Sequence, residues 1–155
     1  LFSKKLGSDF KIFFYSKQIF QKNITTIQKL KKNHKFYFVI VYPFIKSSTK
    51  NIYNKFKDHK KINSKTKYNS IAKSKLIKYI NIEENSLEQV VIYNYPVIKK
   101  ILNELSLLKG CQLERVTGSG SACFGLFSSL KNARFALKNI KKKFPKFWCV
   151  LAKTI

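Results

Sequence analysis

The sequence predicts an α+β domain, with helices laid on one face of a mainly antiparallel sheet. Three observations carry that reading. Phe36–Tyr42 is an apolar run rich in aromatic and β-branched residues, and Ala122–Phe127 is an alternating apolar run, both the marks of strands. Pro96–Lys109 places Val97, Ile98, Ile101, Leu102, Leu105 and Leu108 at spacings of three and four, the period of a helix with one apolar stripe. The order helix, hairpin, helix, strand over the last third of the chain is an α+β arrangement. At 155 residues, 45% hydrophobic and 15% aromatic, the chain has material for one real core and is not a disordered tail.

Taken in order, Phe10–Tyr15 reads as a strand and Ile19–Ile24 as a second one. Phe36–Tyr42 follows and stops at Pro43, which disfavours continued regular structure before it. Ser47, Ser48 and Thr49 offer capping hydroxyls to a short helix over Lys50–Lys57. Asp58–Ser70 is polar without apolar period and reads as an exposed loop. Ile71–Ile80 is a plausible helix from Ile71, Leu76, Ile77 and Ile80. Asn85 with Glu88 three positions later has the spacing of a capping box, and Leu87, Val90 and Val91 supply the stripe behind it. Pro96 suits the first turn of the next helix, and Gly110 ends it. Strands at Gln112–Thr117 and Ala122–Phe127 flank a glycine turn. A helix over Lys131–Phe144 then presents Ala133, Leu137 and Ile140 to one side, Pro145 stops it, and Phe147–Ala152 is a last strand.

The formal net charge is +25, from 32 basic and 7 acidic residues. Such an excess points first to nucleic acid or an anionic surface. Nearly all of it is Lys, however, with Arg only at 115 and 134. Arg is the usual bidentate reader of phosphate and guanine. A lysine excess spread over the chain, beside abundant Asn, Ile, Phe and Tyr, reads as coding bias, so a nucleic-acid partner is not expected. The apolar runs are too short to span a bilayer, and no membrane association is expected. Cys111, Cys123 and Cys149 are odd in number, far apart, and form no Cys-x-x-Cys pair, while His34 and His59 lack partners at metal spacing. No metal site is expected, and free thiols suit a cytoplasmic location. The chain has no Met and begins at Leu1, which reads as a piece of a longer protein.

The stretch Arg115–Phe127, "RVTGSGSACFGLF", raises the chemical question. Its glycine turn is followed by an alternating strand rather than a helix, so it is not a Walker-type loop. On spacing alone it is a hairpin turn, with phosphate contact the weaker alternative.

"NSLEQVVIYNYPVIKKILNELSLLKGCQLERVTGSGSACFGLF", Asn85–Phe127, resembles the Asn-Asp-Leu-Glu helix, the Tyr-Pro helix and the third glycine-rich motif of the 4-diphosphocytidyl-2-C-methyl-D-erythritol kinase family, within the GHMP kinase superfamily. "LGSDFKIFF", "YPFIKSSTKNIY" and "KFPKFWCVLAKTI" resemble three further family segments in the same order. The resemblance implies the C-terminal portion of such a kinase. Its fold would be a ferredoxin-like antiparallel sheet with helices on one face, over residues 34–155. Residues 1–33 would be the end of the ATP-side domain. The implied activity is ATP- and Mg2+-dependent phosphorylation of the 2-hydroxyl of a cytidine diphosphate methylerythritol, in the non-mevalonate route to isoprenoid precursors.

Carried over by motif, Asp9 matches the catalytic aspartate, Thr49 and Tyr53 match the cytidine pocket, and Gly118, Ser119 and Gly120 match the turn beside the nucleotide phosphates. The plainer readings are a turn residue for Asp9, a helix cap for Thr49 and core packing for Tyr53. The sequence departs from the family at Lys11 (Pro in the pattern), at Asn23–Thr26 (Gly-x-Gly-Glu) and at Ser86 (Asp). The family's main phosphate loop has no counterpart here and would lie upstream, so the chain alone is expected not to turn over. Two other readings are a basic nucleic-acid-binding module and a non-catalytic remnant of the kinase. The kinase reading requires Asp9 and the glycine turn to converge on one cleft.

Overall fold

The computed structural model describes residues 12, 14–15, 18–21, 26–56 and 71–154. Asp9, Lys11, Asn23–Thr25 and the expected loop Asp58–Ser70 lie outside the described residues.

Four strands form the central sheet: β3 (Tyr37–Tyr42), β4 (Cys111–Val116), β5 (Cys123–Phe127) and β6 (Trp148–Lys153). Their spatial order is β4-β5-β3-β6, and every neighbouring pair is antiparallel. Helices α1 (Thr49–Lys55), α2 (Lys73–Ile82), α3 (Glu88–Asn94) and α4 (Pro96–Ser106) connect β3 to β4, and α5 (Leu130–Lys143) connects β5 to β6. This is the expected ferredoxin-like sheet order. A small hairpin, β1 (Ile19–Gln21) with β2 (Ile27–Lys29), precedes it.

The β3 alternation predicts its burial. Tyr37, Val39 and Val41 are buried on one face and pack with Val116, Cys123 and Phe127. The stripe of α4, Ile98, Ile101, Leu102 and Leu105, closes over them, with Pro96 in its first turn as expected. Ala133 and Ala136 bring α5 close to the same face, and Ile140 fills the space beside them. Burying one such aliphatic side chain contributes about 1.5–3 kcal/mol, so this layer is the main source of stability.

The expectation of helices on one face holds for α3, α4 and α5. The other face is also covered. Leu76, Ile77 and Ile80 of α2, with Phe20 and Leu30 from the hairpin, pack on Phe36, Phe38, Leu113, Phe124 and Leu126. Both faces of β3 and β5 carry apolar side chains, so leaving one bare would expose several aromatic rings to water. Arg115 Nη1 donates to the Ile80 carbonyl at 3.2 Å, satisfying one of the acceptors that the end of α2 leaves free.

Three local differences stand out. Of the strand expected at Phe10–Tyr15, Ile12, Phe14 and Tyr15 belong to a tight turn, with the Tyr15 amide donating to the Ile12 carbonyl at 3.1 Å. The amide is satisfied locally and needs no neighbouring strand. The strand expected at Ile19–Ile24 is present as β1 over its first half, and β2 is an addition. The Asn85/Glu88 pair does not close as a capping box: the Asn85 side chain accepts from the Leu87 amide at 3.1 Å, but the Glu88 carboxylate reaches across to β4. Among the described residues, no helix is long and apolar enough to cross a membrane.

Candidate functional site

The glycine turn joins β4 to β5. Its base is closed by the Thr117 amide donating to the Ala122 carbonyl at 2.9 Å, and its tip by the Gly120 amide donating to the Thr117 carbonyl at 2.8 Å. Gly118 has φ +50° and Gly120 φ +78°, backbone states that side chains disfavour. Among the described residues, the Gly118 and Ser119 amides have no acceptor, so both are available to an anion.

The turn is fastened to α1 by hydroxyls. The Ser47 hydroxyl donates to the Ser119 carbonyl at 2.8 Å, and the Thr49 and Ser119 hydroxyls share a hydrogen bond of 2.9 Å. Ser121, only 3% exposed, donates from its hydroxyl to the Ile45 carbonyl at 2.6 Å. Ser48, rather than Thr49, caps α1, accepting from the Asn51 amide at 3.3 Å. Thr49 is thereby left to face the turn. The structure thus brings together two groups of residues read separately from the sequence, Thr49 and Gly118–Gly120. Tyr53 lies one helical turn beyond Thr49 and is 59% exposed, so it does not pack into the core. Lys46 and Lys50, both exposed, flank the hydroxyls in sequence and suit an anionic ligand. Asp9 lies outside the described residues, and its distance from the turn is not defined.

Asn85 and Glu88 grip the turn from the opposite side. The Asn85 amide group donates to the Val116 carbonyl at 3.0 Å and to the Gly118 carbonyl at 2.8 Å. The Glu88 carboxylate accepts from the Val116 amide at 2.7 Å. Neither residue stands out as a site residue in the sequence, although both belong to its Asn-Ser-Leu-Glu motif.

The three thiols of the sheet are held protonated. Burial pushes the Cys123 thiol up to about 12 and the Cys111 thiol up to about 11, and it also raises that of Cys149. Cys123 and Cys149 are buried small hydrophobes, and Cys111 is half-buried. Burial likewise raises the Glu114 carboxyl. Among the described residues, no group of three His, Cys, Asp or Glu side chains is placed to hold a metal ion. The described residues around the turn offer hydroxyls and amides, and the one carboxylate there, Glu88, is occupied by the Val116 amide. They do not fit a protein-held Mg2+ by themselves.

Residues 72–146 match the family described as GHMP kinases C terminal. The chain is similar to the 4-diphosphocytidyl-2-C-methyl-D-erythritol kinase of Pelagibacter ubique (strain HTCC1062), 36% identical over 131 residues. That alignment covers 83% of this chain and 45% of the relative. The kinase of the same name from Wolbachia pipientis wMel is 35% identical over 101 residues, covering 65% of this chain and 34% of the relative. The chain therefore spans less than half the length of these relatives.

Among solved structures, a 4-(cytidine 5'-diphospho)-2C-methyl-D-erythritol kinase superposes with a TM-score of 0.67 at 20% identity, over 96% of this chain and 55% of that one. The homoserine kinase of Cytophaga hutchinsonii superposes with a TM-score of 0.59 at 16% identity, over 88% and 47%. At these identities the superpositions show a shared fold over the parts covered. The glycine turn, α3 and α4 all fall inside the matched segment 72–146, while Thr49 and Tyr53 precede it.

Proposed function

We propose that this chain forms the substrate-side part of an ATP-dependent small-molecule kinase, which phosphorylates the 2-hydroxyl of 4-diphosphocytidyl-2-C-methyl-D-erythritol in the making of isoprenoid precursors. The observation that supports it most is the 2.9 Å hydrogen bond between the hydroxyls of Thr49, expected on the cytidine side, and Ser119, expected on the phosphate side. The relatives' names supply the substrate class.

In this reading the free amides of Gly118 and Ser119 receive phosphate oxygens, and the exposed Tyr53 ring is a stacking face for cytosine, worth about 1–3 kcal/mol. Phosphoryl transfer forms a bond between the substrate's 2-oxygen and the γ-phosphorus, breaks the bond from that phosphorus to the β,γ-bridging oxygen, and releases ADP. The hydroxyl proton passes to a carboxylate, for which Asp9 is our candidate. Mg2+ would travel with the nucleotide phosphates and lower their charge. The division into an ATP-side segment 1–33 and a substrate-side segment 34–155, and a cytoplasmic location, belong to the same proposal.

The test is transfer of label from γ-labelled ATP in the whole protein, with the cytidine diphosphate substrate and homoserine offered in parallel. Label on the 2-oxygen of the former is expected. Transfer to homoserine alone, or to neither, overturns the assignment. In the same protein, Asp9→Asn is expected to lower kcat at least ~100-fold while ATP affinity stays near parental, as for a group acting in the transition state. Unchanged turnover removes Asp9 from the role.

A further inference from the structure

We infer that Asn85 and Glu88 are positioning residues that set the shape of the glycine turn for nucleotide binding. This rests on the reading that Gly118–Gly120 receives phosphates, and it assigns a purpose to the Asn-Ser-Leu-Glu segment that helix capping alone does not account for.

The geometry separates two jobs within Asn85. Its oxygen accepts from the Leu87 amide at 3.1 Å, which organises the entry to α3. Its nitrogen donates to the carbonyls of Val116 and Gly118, 31 and 33 residues away. Those two carbonyls bracket Thr117, where β4 gives way to the turn. Both hydrogens of one amide group are therefore spent on fixing the angle at which the turn leaves the sheet. The Glu88 carboxylate takes the Val116 amide at 2.7 Å from the same side. Val116 thus has its amide held by Glu88 and its carbonyl held by Asn85, and its side chain is buried. Gly120 rests against Val91 on the next turn of α3, where an added Cβ would lie 2.9 Å from Val91 Cγ1. Helix α3 is thus the bed on which the turn lies.

A backbone anion site depends on amides that already point the right way, since reorienting them on binding costs affinity. Glycine gives Gly118 and Gly120 a wider choice of backbone states than other residues have, and the Asn85 and Glu88 hydrogen bonds narrow that choice.

Asn85→Asp separates the two jobs. The carboxylate still accepts from the Leu87 amide and adds a favourable charge at the start of α3, but it has no hydrogen to give the Val116 and Gly118 carbonyls. A pure helix cap would be unharmed by this change, whereas a positioning residue would not. Glu88→Ala removes the acceptor for Val116, and Glu88→Gln keeps one.

The measurement is titration of the whole protein with Mg-ADP, read by calorimetry and by the amide resonances of Gly118, Ser119 and Gly120. Asn85→Asp and Glu88→Ala are expected to weaken ADP about tenfold or more, with Glu88→Gln within about threefold of parent, the pattern of an interaction lost and then restored. Parental ADP affinity in Asn85→Asp overturns the inference. So does an addition of ADP that leaves the Gly118–Gly120 amides of the parent unmoved. If those amides respond and the variants behave as stated, but no phosphate reaches the cytidine substrate, the substrate proposal falls and this inference stands.

Discussion

Replacing Gly120 by Ala perturbs the turn at its most constrained point, and the size of the effect follows from two terms. The first is backbone strain: φ is +78°, and a left-handed conformation costs an ordinary residue about 1–2 kcal/mol. The second is space. The new Cβ would sit 2.9 Å from Val91 Cγ1 and 3.4 Å from Val116 Cγ1. Val91 is fully buried and β-branched, so it cannot swing aside, and such overpacking costs about 1–3 kcal/mol. Entropy lost from the unfolded chain returns about 0.4–1 kcal/mol. The net loss is about 1–4.5 kcal/mol, a fall in Tm of roughly 2–18 °C for a domain of this size.

Gly118→Ala is the internal control. Its φ is +50°, and nothing lies within 4 Å of an added Cβ, so only the strain remains, about 1 kcal/mol net. Urea unfolding followed by circular dichroism measures both variants, with the change taken from the midpoint at constant slope. Equal losses at the two positions, or a larger loss at Gly118, would refute the claim that the turn is seated on Val91.

Two further outcomes follow from the same structure. Phe44 has φ +59° and is 61% exposed; Phe44→Gly should therefore be more stable than Phe44→Ala by about 1 kcal/mol in urea, against the usual order of the two residues. Folding holds the thiols of Cys111 and Cys123 protonated, to about 11 and about 12 against an ordinary 9.0, so their contribution to stability should be constant below pH 9 and fall as pH rises towards those values. A Cys111→Ala, Cys123→Ala double variant, less stable at neutral pH, should show a shallower alkaline decline in the same unfolding titration, and a slope equal to the parent's would remove the thiols as its cause.

Local periodicity made much of the fold readable. The aromatic and β-branched run Phe36–Tyr42 announced β3, and the spacing of Ile98, Ile101, Leu102 and Leu105 announced α4, because each pattern reports how one element meets one core. What periodicity cannot report is which side of a sheet an element covers. Leu76, Ile77 and Ile80 show that α2 has an apolar stripe, but its place on the second face depends on Phe38, Phe124 and Leu126, far away in sequence. The strand β2 was not legible because three residues, Ile27–Lys29, give too little alternation to read.

The site shows the same division. Thr49 and the glycine turn were found by motif, one element at a time. Their hydrogen bond spans 70 residues, and only the pairing of β3 with β5 brings them together. The Asn85/Glu88 spacing signalled a capping box. Glu88 turned instead to Val116 because the end of β4 presents an amide that the sheet does not use, a fact about tertiary packing that spacing does not encode.

The most direct measurement is a structure of the whole protein bound to a non-hydrolysable ATP analogue and the cytidine diphosphate substrate. Our reading expects nucleotide phosphate oxygens within hydrogen-bond distance of the Gly118 and Ser119 amides, with the substrate's 2-hydroxyl beside the Asp9 carboxylate and its cytosine against Tyr53. Phosphates bound away from the turn, with Asp9 and the turn opening onto separate surfaces, would contradict it.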